Sequence, residues 1–242
     1  MSYLGFTKLM TQYCSHFKQP QILEIGVDRG QTTLPLYHNL LMMDRPFNYV
    51  AVDIKLDMCL LEQLKIFQGF KPLTSHVEAK PTEWNMHYLL GNSLKVLPAM
   101  VEAGWKFDLI LIDGDHNYPT VTEELRYLTD ISYPTSLVIF DDYNGRHNNS
   151  DTFYADYESH KSVDKFVKLQ SVEGKAGANQ AIDDWRVKHE EWLFCNEMPK
   201  FEPALLLGPG ISTMNWTGGN RLHEADWHFE FRVFDRLVEA PK

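Results

Sequence analysis

The sequence predicts an α/β protein built on a doubly wound, mainly parallel sheet. Three observations lead there. Short apolar runs alternate with amphipathic, helix-length stretches through the first two-thirds of the chain. The runs are short and mostly apolar, which fits strands covered on both faces. Most of them end in an acidic or small polar residue. A length of 242 residues and an apolar share of 44% suit one domain over 1–242 with a full core.

The first run, Gln21–Ile25, leads into Glu24-Ile25-Gly26-Val27-Asp28-Arg29-Gly30, and a helix follows over Thr32–Leu41. A glycine turn between strand and helix lets the backbone approach a ligand, and the free N–H groups of the helix start face it. Asp28 stands where a dinucleotide-binding turn has its middle glycine. Glu24 before the turn suits a ligand with an ammonium group better than a pyrophosphate. Gly26, Gly30 and Thr32 complete this candidate binding turn.

The second run, Tyr49–Asp53, ends in a carboxylate placed to take the hydroxyls of an adenosine ribose. A helix over Met58–Gln68 follows. The third run, His87–Leu90, opens on Gly91-Asn92-Ser93 and a helix over Ser93–Ala103. Gly91 permits close approach, Asn92 suits an adenine amino group, and Ser93 reads as the helix cap.

The fourth run, Phe107–Asp113, continues as Gly114-Asp115-His116 before a helix over Val121–Leu128. The fifth, Leu137–Asp142, ends in Asp141-Asp142-Tyr143. Ligands of open parallel sheets sit outside the carboxyl ends of the strands, so neighbouring fourth and fifth strands would bring Asp113, Asp141 and Asp142 together. Two like charges 4 Å apart repel by roughly 4 kcal/mol at an effective dielectric of 20. A hard divalent cation such as Mg²⁺ relieves that repulsion, and oxygen-only ligands suit it. His116, with Asp115 as second candidate, is placed to serve as a base near neutral pH.

After Asp142 the pattern loosens. Residues 143–177 read as a substrate lid containing a helix over Val163–Leu169, with Arg146 and His147 as candidate substrate contacts. A helix is predicted over Asn179–Trp192. Strands over Ala204–Leu207 and His228–Leu237 are expected to pair antiparallel and close the sheet.

Glu24-Ile-Gly-x-x-x-Gly, Asp53 and Gly91-Asn92-Ser93 resemble the cofactor motifs of class I methyltransferases. The resemblance implies a Rossmann-like seven-stranded sheet with an antiparallel C-terminal strand. It implies S-adenosylmethionine bound with its methionine part near Glu24 and Gly26, its ribose at Asp53 and its adenine at Asn92; Asp113 borders the cofactor. Asp113 with Asp141-Asp142 is similar to the metal ligands of catechol-type O-methyltransferases, where Asn stands in place of Asp142 and Lys in place of His116. Ile112–Asp115, Asp141–Tyr143 and Gln180-Ala181-Ile182-Asp183-Asp184-Trp185-Arg186 resemble the macrocin O-methyltransferase group of sugar-modifying enzymes, over roughly residues 20–195. That group commonly has Leu at the His116 position, a longer N-terminal region that serves assembly, and a shorter loop before Gln180.

The resemblance implies metal-assisted methyl transfer to a hydroxyl of a small molecule, such as a sugar or glycosylated compound. N-methylation needs no metal, which leaves the Asp triad without a role. A nicotinamide-dependent oxidoreductase lacks its middle glycine here. A non-catalytic binding or assembly module would not need Asp113, Asp141, Asp142 and His116 together. A formal net charge of -10 without a basic run disfavours a nucleic-acid partner. Three scattered cysteines, Cys14, Cys59 and Cys195, indicate neither disulfides nor zinc. No leader or membrane span is read, so a cytoplasmic protein is expected, and a homo-oligomer is compatible with the sequence.

Overall fold

The computed structural model describes residues 4–55, 57–68, 84–141, 143–144, 150–151, 171–195, 204–217 and 228–233. The chain opens with helix α1 (Leu4–Cys14) and then alternates: β1 (Gln21–Ile25), α2 (Thr33–Met42), β2 (Phe47–Asp53), α3 (Met58–Gln68), β3 (Trp84–Leu90), α4 (Ser93–Glu102), β4 (Phe107–Ile112), α5 (Tyr118–Ile131) and β5 (Ser132–Phe140). Helix α6 (Gly177–Arg186) and strands β6 (Leu193–Cys195), β7 (Ala204–Leu207), β8 (Ile211–Thr217) and β9 (His228–Val233) follow.

The sheet order is β3-β2-β1-β4-β5-β7-β6. The first five strands are parallel, while β7 runs antiparallel to both β5 and β6. Alternate residues of the central strands feed two separate cores, as a pleated sheet requires. Ile22, Tyr49, Ala51, Leu109, Leu111, Leu137 and Ile139 pack with Leu9 and Met10 of α1, Leu36 and Tyr37 of α2 and Leu60 of α3. Leu23, Ile25, Val50, Val52, Ile110, Ile112, Val138 and Phe140 pack with Leu97 of α4, Leu125 of α5 and Ile182 of α6. Helices α1 to α3 therefore cover one face and α4 to α6 the other, which is the predicted doubly wound arrangement.

One expected pairing is corrected. The strand at Ala204–Leu207 joins the main sheet, with the three-residue β6 as its outer neighbour. His228–Val233 pairs instead with Ile211–Thr217 in a separate two-stranded sheet. A strand's alternation announces that it is a strand but does not name its partner. The helix predicted to Trp192 ends at Arg186. The Val163–Leu169 helix lies outside the described residues, as do Arg146 and His147. No described helix is long and apolar enough to cross a membrane.

Candidate functional site

Strand direction reverses its order of addition between β1 and β4, so the sheet's switch point lies between their carboxyl ends. The ladder runs one residue past each strand there. Gly26 N–H donates to Val52 O at 2.9 Å, Asp113 N–H to Ile25 O at 2.8 Å, Asp141 N–H to Ile112 O at 3.0 Å and Gly91 N–H to Asp53 O at 2.8 Å. Ile25, Ile112 and Phe140 are mutual register partners, so Gly26, Asp113 and Asp141 stand side by side in the next row. The edge thus gathers Gly26, Asp53, Gly91, Asp113 and Asp141.

Gly26 sits at φ +85°, and a Cβ there would lie 2.1 Å from the Asp113 carbonyl oxygen. Only glycine allows the two loops to touch. Gly30, at φ +74°, brings a hypothetical Cβ within 2.4 Å of a Leu60 methyl. Asp28 adopts φ +44°, a left-handed conformation that Asp tolerates better than most residues.

Asp53 organises this turn. Its Oδ2 accepts from Val27 N–H at 2.7 Å and Asp28 N–H at 2.9 Å, and its Oδ1 accepts from Lys55 N–H at 2.8 Å. A carboxylate offers about four acceptor positions, so one is left on Oδ1. Glu24 is 1% exposed and lies behind the turn. Its Oε2 accepts from Thr33 Oγ at 2.7 Å and from the Tyr49 hydroxyl at 2.6 Å. Burial pushes its carboxyl up to about 7, against the lowering pull of Tyr49 and Thr33. Thr32 is buried at the position before α2, and it is the adjacent Thr33 that reaches Glu24. Thr33 and Tyr49 escaped the sequence reading because each looks like an ordinary core residue of its element.

At the third strand's end the cap assignment is corrected. Asn92 caps α4, its Oδ1 accepting from Leu94 N–H at 2.9 Å. Ser93 instead donates to Glu124 Oε1 at 2.5 Å. Asn92 has the extended backbone that a cap needs, whereas Ser93 is already helical.

The Asp113 carboxyl is held above the usual carboxylate range by burial, while neighbouring His116 and Asp141 act to lower it. Asp113 and Asp141 are neighbours, each one residue past its strand. His116 Nε2 lies 3.5 Å from Asp113 Oδ1, and its side chain is 9% exposed against 27% for Asp113. That spacing is long for a hydrogen bond and is mainly electrostatic. Asp115 is committed locally: Oδ2 accepts from Thr120 Oγ at 2.5 Å, and Oδ1 from the side-chain amide of buried Asn117. Among the described residues, no group of three or more His, Cys, Asp or Glu is placed to hold a metal. Asp142 lies outside the described residues.

Beneath His116 and Asp115 lies a residue the sequence reading missed. Glu124 of α5 is 1% exposed, and burial pushes its carboxyl up to about 8. Its Oε1 takes the Ser93 hydroxyl; Oε2 is buried with no hydrogen-bond partner. A proton on Oε2 relieves that burial. The amphipathic pattern of α5 makes Glu124 look like one more polar-face residue, so no local signal marks it.

The segment Gln180–Arg186 forms most of α6 and reaches Tyr118 at the start of α5 and Tyr143 after β5. Asp183 Oδ1 accepts from the Tyr143 hydroxyl at 2.8 Å and pairs with Arg186 at 3.1 Å. Asp184 accepts from the Tyr118 hydroxyl at 2.8 Å, Lys175 Nζ at 2.7 Å and Gln180 Nε2 at 2.9 Å.

The sequence model of a methyltransferase-domain family matches residues 23–143. Among solved structures, that of CalS11, a TDP-rhamnose 3'-O-methyltransferase of calicheamicin biosynthesis, superposes with a TM-score of 0.55 at 14% identity, over 84% of this chain and 77% of that one. The cofactor-bound structure of Rv0187 from MTB gives a TM-score of 0.51 at 17% identity, over 86% and 81%. At these identities the likeness is one of fold. No curated protein matches the chain.

Proposed function

The chain belongs to the methyltransferase-domain family, and from that premise we propose that it transfers a methyl group from S-adenosylmethionine to a hydroxyl of a small molecule, assisted by a divalent cation. The observation that carries the proposal is the meeting of Asp113 and Asp141 at the switch point, beside the Gly26 turn. Two neighbouring carboxylates repel each other, and a dication between them would relieve that repulsion.

The residues fit the cofactor. Gly26 and Gly30 take the left-handed φ values that shape the turn, packed against the Asp113 backbone and the Leu60 side chain. Asp53 takes a ribose hydroxyl on its remaining Oδ1 position while holding the turn. Glu24 supplies a buried negative charge behind the methionine end, and a cation nearby favours its ionised form. Gly91 and Asn92 border the adenine; because Asn92 Oδ1 already caps α4, its amide nitrogen and backbone are the groups available there.

Asp113 and Asp141 would hold the metal, together with Asp142. When bound, Mg²⁺ lowers the pKa of the acceptor hydroxyl and fixes its position. The acceptor proton passes to His116, whose Asp113 partner stabilises the cationic ring that results. Asp115 is less suited, because both of its oxygens are engaged by Asn117 and Thr120. Holding the acceptor oxygen in line with the methyl carbon supplies much of the remaining rate. The sugar-directed reading of the acceptor rests on the likeness of Ile112–Asp115, Asp141–Tyr143 and Gln180–Arg186 to the macrocin group; CalS11, which shares the fold, is itself named a sugar-nucleotide methyltransferase.

Metal-free transfer is the second reading, since protonation of one of the two carboxyls would also relieve their repulsion. Chelation separates the two. Formation of S-adenosylhomocysteine with a hydroxylated acceptor should stop in EDTA and return with added Mg²⁺. Asp141→Ala should lower turnover by at least about 100-fold, the scale of a lost metal contact, with cofactor affinity nearly unchanged. Wild-type rates in that variant would remove the metal from the account.

A further inference from the structure

We infer that Asp183 and Asp184 are positioning residues that set the separation of the two loops carrying the acidic pair and the base. The inference rests on the proposed metal-assisted reading for its functional consequence, and on geometry for the clasp itself. Consecutive residues on a helix point about 100° apart, so one short segment can grip two loops at once. Asp183 grips Tyr143, two residues beyond Asp141; Asp184 grips Tyr118, two residues beyond His116.

Each grip is fixed from several sides. Tyr143 is 7% exposed and packs edge-on against Phe194, with ring centroids 5.2 Å apart. The Arg186 guanidinium lies 3.4 Å from the Phe194 ring centroid and pairs with Asp183, closing a ring of four side chains. Asp184 is tied to Lys175 and Gln180 as well as Tyr118, and Lys175 also stands 5.9 Å from the Tyr118 ring. Asp151 Oδ1 accepts from both Tyr118 N–H and Gly177 N–H at 2.8 Å, fastening the starts of α5 and α6 to one carboxylate. The clasp therefore acts directly on the loops that carry the acidic pair and the base.

The test compares Asp183→Ala, Asp184→Ala and their Asn counterparts in the full chain. Groups that orient metal ligands typically change affinity or activity by about 10–100-fold. Titration of Mn²⁺ into protein saturated with S-adenosylhomocysteine should show each Ala variant weakened about tenfold or more. Affinity for S-adenosylhomocysteine should stay within about twofold. The Asn variants keep an acceptor for the tyrosine and should recover most of the loss. Unchanged Mn²⁺ affinity in both Ala variants, or a parallel loss of S-adenosylhomocysteine binding, overturns the clasp. If wild-type protein takes up no Mn²⁺, the metal reading fails, and amide exchange then decides the clasp by itself. Faster exchange confined to 113–118 and 141–144 in the double Ala variant supports it; unchanged exchange there overturns it.

Discussion

Glu124 shows how far a single residue can depart from its sequence appearance. In the folded protein its carboxyl titrates at about 8, against 4.5 for an ordinary Glu, because it is buried against α4 with only Ser93 to satisfy it. The folded state keeps the proton through a range in which the unfolded chain has released it. Stability from this residue is thus fully present below about pH 4.5 and is lost as pH rises through about 8. Glutamine mimics the protonated acid and can still accept from Ser93. Glu124→Gln should match the wild type near pH 4.5 and become the more stable protein by on the order of a few kcal/mol near pH 9. Urea unfolding across that range checks this; parallel curves would show that Glu124 is not a buried acid. The sequence displayed Asp113, Asp141 and His116 because they follow apolar strands. Glu124, Thr33, Tyr49 and Asn117 acquire their roles only from partners on other elements, which no local pattern records.

Among the elements, the β1–α2 turn is the one where backbone and chemistry are least separable. The Gly26 conformation and its contact with the Asp113 carbonyl join the β1–α2 turn to the loop that carries Asp113. Gly26→Ala adds a left-handed strain of about 1–2 kcal/mol and an overpacking cost of about 1–3 kcal/mol. It should lower the unfolding midpoint and weaken S-adenosylhomocysteine binding together, measurable by thermal melts with and without that ligand. A stable variant with undiminished affinity would mean that the turn has slack the geometry does not show. The parallel strands and their crossover helices were legible because their periodicities are strong and their connections are constrained. Helix α1, the three-residue β6 and strand β8 were not. α1 reads only as amphipathic, β6 is too short to show a period, and β8 (Ile211–Thr217) has few apolar residues to alternate. The closing pair was misassigned because β7 found its partner in β5, 64 residues earlier by register (Phe140 with Ala204), and β9 found its own in β8.

At the scale of the whole molecule, the sheet gathers Glu24, Asp53, Asp113 and Asp141 toward one edge, and burial raises Glu24 and Asp113 as a result. Mutual repulsion also contributes, since Asp53 raises Glu24 and Glu24 raises Asp113. Such an edge is at its most unfavourable when empty and is relieved by positive charge. On the proposed function, a sulfonium donor with an ammonium group would answer the Glu24 and Asp53 side, and a dication the Asp113 and Asp141 side. The most direct measurement is S-adenosylhomocysteine production across a panel of hydroxylated acceptors, run in parallel with Mg²⁺ and with EDTA. The account predicts an acceptor whose methylation requires Mg²⁺. Equal turnover in EDTA would contradict it.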